Sequence, residues 1–297
     1  MKKEKNKISL RSILVPAIIF LLGAGIFLYP AISNFFAVQN QAHTIKEYQV
    51  AVQNTGTEEL DAMWKEAEIY NENLAGDPVH DPFVPGSGYV LPDNYKDVLN
   101  IDGDGIMGYV EIPKINVYLP IYHGTSTEVL EKGAGHLQVT YLPIGGANRH
   151  SVISAHRGLP SAELFTRLDE MKEGDIFFIH VLEKTLEYKV DQITVIDPKD
   201  IASLRVEEGK DLVTLLTCTP YAVNTHRLLV RGEHVIGDPA LNGGVVHEEH
   251  VSKNFAWVNT YVLSIILGLF LLVLLLVLLL VRKKKNKNKK GRKKHAA

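Results

Sequence analysis

Cys218 is the only cysteine in the 297 residues, and it ends the strand-like run Thr214-Leu-Leu-Thr-Cys218, directly before a turn-prone Thr219-Pro220. A cysteine nucleophile works as its thiolate, so it needs a base or a cation nearby to lower its pKa. His156 follows Ser151-Val-Ile-Ser-Ala155 and precedes Arg157-Gly-Leu-Pro160, which puts it where a strand runs out into a turn. His150 has the same parity but lies at the opposite end of that strand, and His180 lies inside a strand-like run, as packed or surface histidines do. Arg227 stands nine residues after Cys218. If 227–230 pairs antiparallel with 213–216, the hairpin sets Arg227 beside Cys218, with His226 pointing to the other face. The guanidinium would then offer fixed donors to an oxyanion, the requirement of acyl transfer. On residue types and spacing alone two readings stay open: an inert buried cysteine with a surface arginine, or a Cys–His–Arg site.

The elements that would hold these side chains are short. From Ile106 to Val245 β-like runs alternate with turn signals: 108–112, 117–122, 151–154, 176–181, 186–190, 213–216 and 228–230. Only 162–171 reads as helical in this region. The pattern predicts a barrel or sandwich with mostly antiparallel pairing. Upstream, 37–74 reads as helix, with Leu60, Met63, Trp64, Ala67, Tyr70 and Leu74 forming a packing stripe and Thr57 as its N-cap. Between these regions Pro78, Pro82, Pro85 and Pro92, with Gly86 and Gly88, exclude both helix and central strand. The segment is either an ordinary connection or a cover over something.

Two patterns that suggest metals lead elsewhere. Asn100, Asp102, Asp104, Gly105 and Glu111 occupy EF-hand positions, yet strand-like 109–112 and Pro113 stand where a helix is needed, so a turn into the first strand is expected. The twelve histidines show no HExxH or clustered Cys/His spacing that would hold a catalytic zinc.

The ends of the chain place it at a membrane. Residues 261–281 are an uncharged apolar run, about 31 Å long as a helix. Residues 13–32 are apolar apart from small residues and two prolines, and follow five basic residues, as in a signal peptide or anchor. Ten basic residues and no acid follow Val281, so both termini are expected in the cytoplasm and the middle outside. Residues 13–281 hold 17 basic and 33 acidic residues, a net charge of −16. That argues against polyanion partners such as nucleic acid and allows basic ones. One cysteine in an exported segment means no intramolecular disulfide framework.

Thr214-Leu-Leu-Thr-Cys218 resembles the TLxTC signature of sortases, membrane-anchored cysteine transpeptidases of Gram-positive bacteria. The segments 105–115, 119–125, 141–146, 154–160 and 224–232 are similar, in order, to the class C, pilin-polymerising members. The resemblance implies a mainly β fold: an eight-stranded β-barrel preceded by N-terminal helices and flanked by two transmembrane helices. It implies Cys218 as nucleophile, His156 as general acid/base, Arg227 as oxyanion and substrate clamp, and Thr217 in support. Asp81-Pro82-Phe83 looks like the lid motif of pilus sortases, with Phe83 where many relatives carry tryptophan.

The implied division is a cytoplasmic basic N-terminus 1–12, a transmembrane helix or signal anchor 13–32, an extracellular helical region 33–76 and a Pro-rich lid 77–94. The sortase barrel 95–245, a juxtamembrane linker 246–260, a transmembrane helix 261–281 and a cytoplasmic basic tail 282–297 follow. The implied reaction cleaves an LPxTG-like sorting signal of a pilin between Thr and Gly through a thioester, then joins the acyl group to a lysine of another pilin. It needs no metal or organic cofactor. The implied partners are pilin subunits and the lipid bilayer. Attachment of surface proteins to peptidoglycan is the nearest alternative, and a non-enzymatic envelope adhesin or sensor is the second.

Overall fold

Short strands of alternating residues, joined by tight turns, can close on themselves and leave no free edge. In the computed structural model they do so. It describes residues 11–74 and 93–235, together with Gly268. Residues 1–10, the lid residues Asp81, Pro82 and Phe83, the linker, the span 261–281 apart from Gly268, and the basic tail lie outside the described residues.

Eight strands form the closed barrel: β1 (Ile106–Ile112), β2 (Val117–His123), β3 (Ala134–His136), β4 (Arg149–Ser154), β5 (Ile176–Val181), β6 (Lys184–Ile196), β7 (Asp211–Thr219) and β8 (His226–His234). Their order around the barrel is β1-β2-β3-β4-β7-β8-β6-β5. Pairing is antiparallel except between β2 and β3 and between β4 and β7. The expected eight-stranded barrel is present, and each strand-like run in the sequence falls on a strand. β3 was not anticipated: three residues containing a glycine carry no periodic signal.

Helix α1 (Arg11–Asn54) is continuous through Pro30 and joins the apolar N-terminal run to the first half of the expected helical region. From Ile18 it is long and apolar enough to cross a membrane. Its distal half grips the barrel. The Tyr48 hydroxyl donates to the Met107 carbonyl at 3.3 Å and accepts from the Leu182 amide at 2.7 Å. Gln49 donates to the Tyr109 hydroxyl at 2.9 Å. β1 is consequently buried along its whole length, one face toward the barrel interior and the other beneath α1. Helix α2 (Thr57–Asn73) starts one residue earlier than expected, since Gly56 occupies the N-cap position and its carbonyl accepts from the Glu59 and Leu60 amides. Asn71 ties α2 down, exchanging both amide hydrogen bonds with Leu142 at 3.1 and 2.7 Å.

The expected helix over 162–171 is corrected to a run of turns ending in a short 3-10 helix at 168–170. Leu164 takes a left-handed φ of 44°, and the Phe165 amide is spent on the His156 carbonyl at 3.1 Å. Both interrupt the i to i−4 ladder a helix needs. The helix of this region is instead α3 (Thr127–Lys132), where Ser126 accepts from the Val129 amide as N-cap. Asn100–Gly105 forms the expected turn into β1, with Asn100 Oδ1 accepting from the Gly105 amide at 2.8 Å.

Beside β2 a buried His136 links three segments. Its Nε2 faces the Tyr141 carbonyl at 2.8 Å and so carries the proton, which leaves Nδ1 to accept from the Tyr95 hydroxyl at 2.9 Å. Complete burial lowers its pKa from 6.5 to about 3. The folded state therefore holds the neutral form, while the unfolded chain takes up a proton below pH 6.5. This residue's stabilisation is complete above pH 6.5 and is lost as pH falls toward about 3, at about 1.4 kcal/mol per unit. Urea unfolding between neutral and mildly acid pH should show this slope. In His136→Gln the slope should flatten, and an equal slope in both proteins would refute the assignment.

Candidate active site

β7 and β8 form the antiparallel hairpin that the sequence left as a condition: Cys218 lies directly opposite Arg227, and Thr219 opposite His226. Directly opposed residues of an antiparallel pair share a face. β4 runs parallel to β7 on its other side, with Val152 facing Thr214 and Ser154 facing Leu216. Continued by two residues past the end of β4, that register brings His156 level with Cys218. Arg227, Cys218 and His156 thus form one row across three adjacent chain segments.

The period of two in a strand decides which side of the wall carries this row. Val213, Leu215, Leu228 and Val230 belong to the main core. Leu216, Leu229 and Val152 have the opposite parity and form a smaller cluster with Ile196 and Leu204. Cys218 and Arg227 share the parity of that second cluster, so they top a shallow apolar wall outside the barrel interior. The connection from β6 to β7 lies over it, held where the Arg205 carbonyl meets His150 Nδ1 at 2.9 Å.

Around the row, each side chain is positioned by backbone it did not choose. Thr217 points to the other face and donates from Oγ1 to the Ala155 carbonyl at 2.7 Å, fixing the residue just before His156. The Ala155 amide donates to the Leu216 carbonyl at 3.2 Å. His156 is half-buried, and this desolvation lowers its pKa below the ordinary 6.5, with Glu131 pulling the other way. It is a neutral imidazole at pH 7, able to accept a proton. Cys218 is 7% exposed and Arg227 5%. Arg227 Nη1 donates to the carbonyls of Asn224 and His226, both at 3.2 Å, which anchors the β7–β8 turn.

The other histidines fall where their positions suggested. His150 is buried between the Arg205 carbonyl and Thr214 Oγ1, far along β4 from the row. His180 packs between Thr185 and Glu111. His226 is exposed and contacts Thr225. Among the described residues no group of three or more His, Cys, Asp or Glu is disposed to hold a metal ion.

A family model described as the sortase domain matches residues 110–235. The chain is also 43% identical to sortase C of Streptococcus pneumoniae, over 68% of this chain and 100% of that one, with a TM-score of 0.62. The chain belongs to the sortase family. The structure of the pneumococcal protein was reported for its insights into catalysis and pilin substrate specificity. A pilus-related sortase C of group B Streptococcus is 41% identical, over 65% of this sortase and 98% of that chain, with a TM-score of 0.60. Sortase D of Bacillus subtilis (strain 168) is 33% identical over 115 residues, 39% of this chain and 55% of that protein. This sortase therefore spans about half the length of the curated relatives it matches first.

One residue of the site was not singled out in the sequence. Arg157 follows His156 and donates from Nη1 to Thr219 Oγ1 at 3.1 Å while its Nη2 pairs with Asp169. It ties the turn that carries His156 to the end of the strand that carries Cys218. The signal available in the sequence was a His-Arg pair that occurs twice, at 156–157 and 226–227.

Proposed function

We propose that this sortase is a cysteine transpeptidase that joins pilin subunits. The observation that carries the reading is the row of Arg227, Cys218 and His156 across β8, β7 and the end of β4, in a barrel similar to two sortase C proteins. Cys218 Sγ attacks the threonine carbonyl of an LPxTG-like signal while neutral His156 takes the thiol proton. Arg227 donates to the oxyanion, with its planar fork suited to fixed, paired donation. His156 then protonates the departing glycine amine, leaving an acyl group on sulfur. A lysine amine of a second pilin resolves the thioester as an isopeptide bond, so one difficult step becomes two easier ones. Thr217 supports the site by holding Ala155.

The same proposal places residues 13–32 and 261–281 in the membrane with both termini in the cytoplasm and the barrel outside. The apolar N-terminal helix and the basic flanks at both ends support it. Anchoring enzyme and pilins in one membrane raises their local concentration without any new contact. Asp81, Pro82 and Phe83 are assigned as a lid on the strength of their motif. The segment that carries them leaves from Leu74 and returns at Tyr95, both buried in the main core.

Full-length protein in detergent, given two purified pilins, should build a ladder of covalent oligomers resistant to denaturation. Attachment to a cell-wall precursor alone, with no ladder, would replace the pilin reading with the peptidoglycan one.

A further inference from the structure

The second half of the proposed reaction needs a place for the incoming amine, and the order of the strands limits where that is. In the barrel wall Arg227 on β8, Cys218 on β7 and His156 after β4 follow one another, and β3 with α3 comes next. The β6–β7 connection lies over the apolar wall shared by β4, β7 and β8, where Arg205 meets His150. The α3 side flanks His156 beyond β4 and offers an amine that must surrender a proton to His156 a route to it.

A cavity of about 430 Å³ lies on that side, between α1 and the barrel. Phe36, Asn40 and Gln41 line it from α1, and Tyr122, Glu131 and Ser161 line it from the barrel. Its volume falls in the range of pockets that take small ligands or peptide side chains. Both walls are pinned: Gln41 Nε2 donates to the Lys132 carbonyl at 3.1 Å, and the Glu163 amide donates to Asn34 Oδ1 at 2.7 Å. Ser161 belongs to the same closed turn as His156, which the Phe165 amide and the His156 carbonyl seal at 3.1 Å.

Glu131 supplies the chemistry. It is exposed in the last turn of α3, and the next residue, Lys132, also lines the cavity, where its carbonyl accepts from Gln41. Among the described residues no basic side chain pairs with it, yet its charge is felt at His156. A carboxylate at the mouth of a preformed cavity, within electrostatic reach of the proposed base, suits an ammonium group.

We propose that this cavity receives the lysine-bearing segment of the acceptor, with Glu131 holding the lysine ammonium until it moves to the thioester. The inference rests on the transpeptidase reading above. On leaving Glu131 the ammonium gives one proton to solvent. Its nitrogen then bonds to the thioester carbonyl carbon as the carbon–sulfur bond breaks. The proton shed by that nitrogen passes through His156 to the Cys218 thiolate.

The test uses full-length protein, an LPxTG-like donor peptide and a lysine-containing acceptor peptide, and reads the ratio of transfer to hydrolysis. Glu131→Gln should lower that ratio about fivefold, the worth of roughly 1 kcal/mol of ion pairing. Asn40→Trp, which fills the cavity from the other wall, should lower it as well, and Glu131→Asp should restore part of it. An unchanged ratio in both Glu131→Gln and Asn40→Trp overturns the proposal. So does a result in which the two variants alter only binding to anionic phospholipid vesicles, which would make the cavity a lipid head-group site. Failure of the underlying reading is seen in a different product: the wild-type protein would release no glycine-terminated fragment at all.

Discussion

Replacing Cys218 with alanine is expected to abolish cleavage of an LPxTG-like peptide, with a loss of about 10⁴-fold or more. The chain holds no second thiol to substitute for it. The lost atom sits at the end of β7 in register with Arg227, and its neighbours are held by backbone bonds that alanine keeps. Unfolding midpoints should therefore move little while the covalent acyl adduct disappears. Mass spectrometry of the wild-type protein mixed with donor peptide should find that adduct on Cys218, and on no other residue. Normal turnover by Cys218→Ala would remove Cys218 as the nucleophile, and no cleavage even by the wild-type protein would leave the chain as a non-enzymatic adhesin or sensor built on a sortase barrel.

Arg227→Lys is expected to lower kcat by about 10²- to 10³-fold, the usual loss when a fixed oxyanion donor is removed. Lysine keeps the positive charge but offers a compact ammonium on a flexible stem in place of a planar fork. In the native protein the fork is held by its bonds to the Asn224 and His226 carbonyls, which also brace the β7–β8 turn. A rapid-mix measurement of acyl-enzyme formation, set beside a thermal melt, separates the two roles. Slow acylation with an unchanged melt supports oxyanion stabilisation. Near wild-type acylation would reduce Arg227 to a brace for the turn.

How much of this was legible in the sequence depends on the range of the interactions involved. The Cys218–Arg227 pairing was legible because a hairpin register is set locally, by turn length and the alternation of the flanking strands. Placing His156 beside them needed more, since it reaches Cys218 through the parallel contact of β4 with β7, 62 residues apart in the register pair Ser154 and Leu216. No local pattern encodes that pairing. The ordered family segments pointed to it instead. Arg157 and Glu131 escaped notice because their meaning lies in Thr219, Asp169 and an α1 wall that only the folded chain brings near. The misread helix at 162–171 shows the limit from the other side. Its apolar spacing was real, and Leu164, Phe165, Leu168 and Met171 are all buried, but their packing is achieved through turns.

Helix α1 carries one more consequence. The expected membrane segment ends at Ile32, and Asn34 already bonds to the barrel through the Glu163 amide. Two helical residues rise about 3 Å. If residues 13–32 cross the membrane as proposed, the enzyme has almost no stalk, and its clearance above the lipid is set by a stiff rod with no slack linker. Such an enzyme works at a fixed height. On the proposed function it would serve sorting signals that emerge close to the bilayer surface, and a signal displayed far out on a folded stem would pass over it.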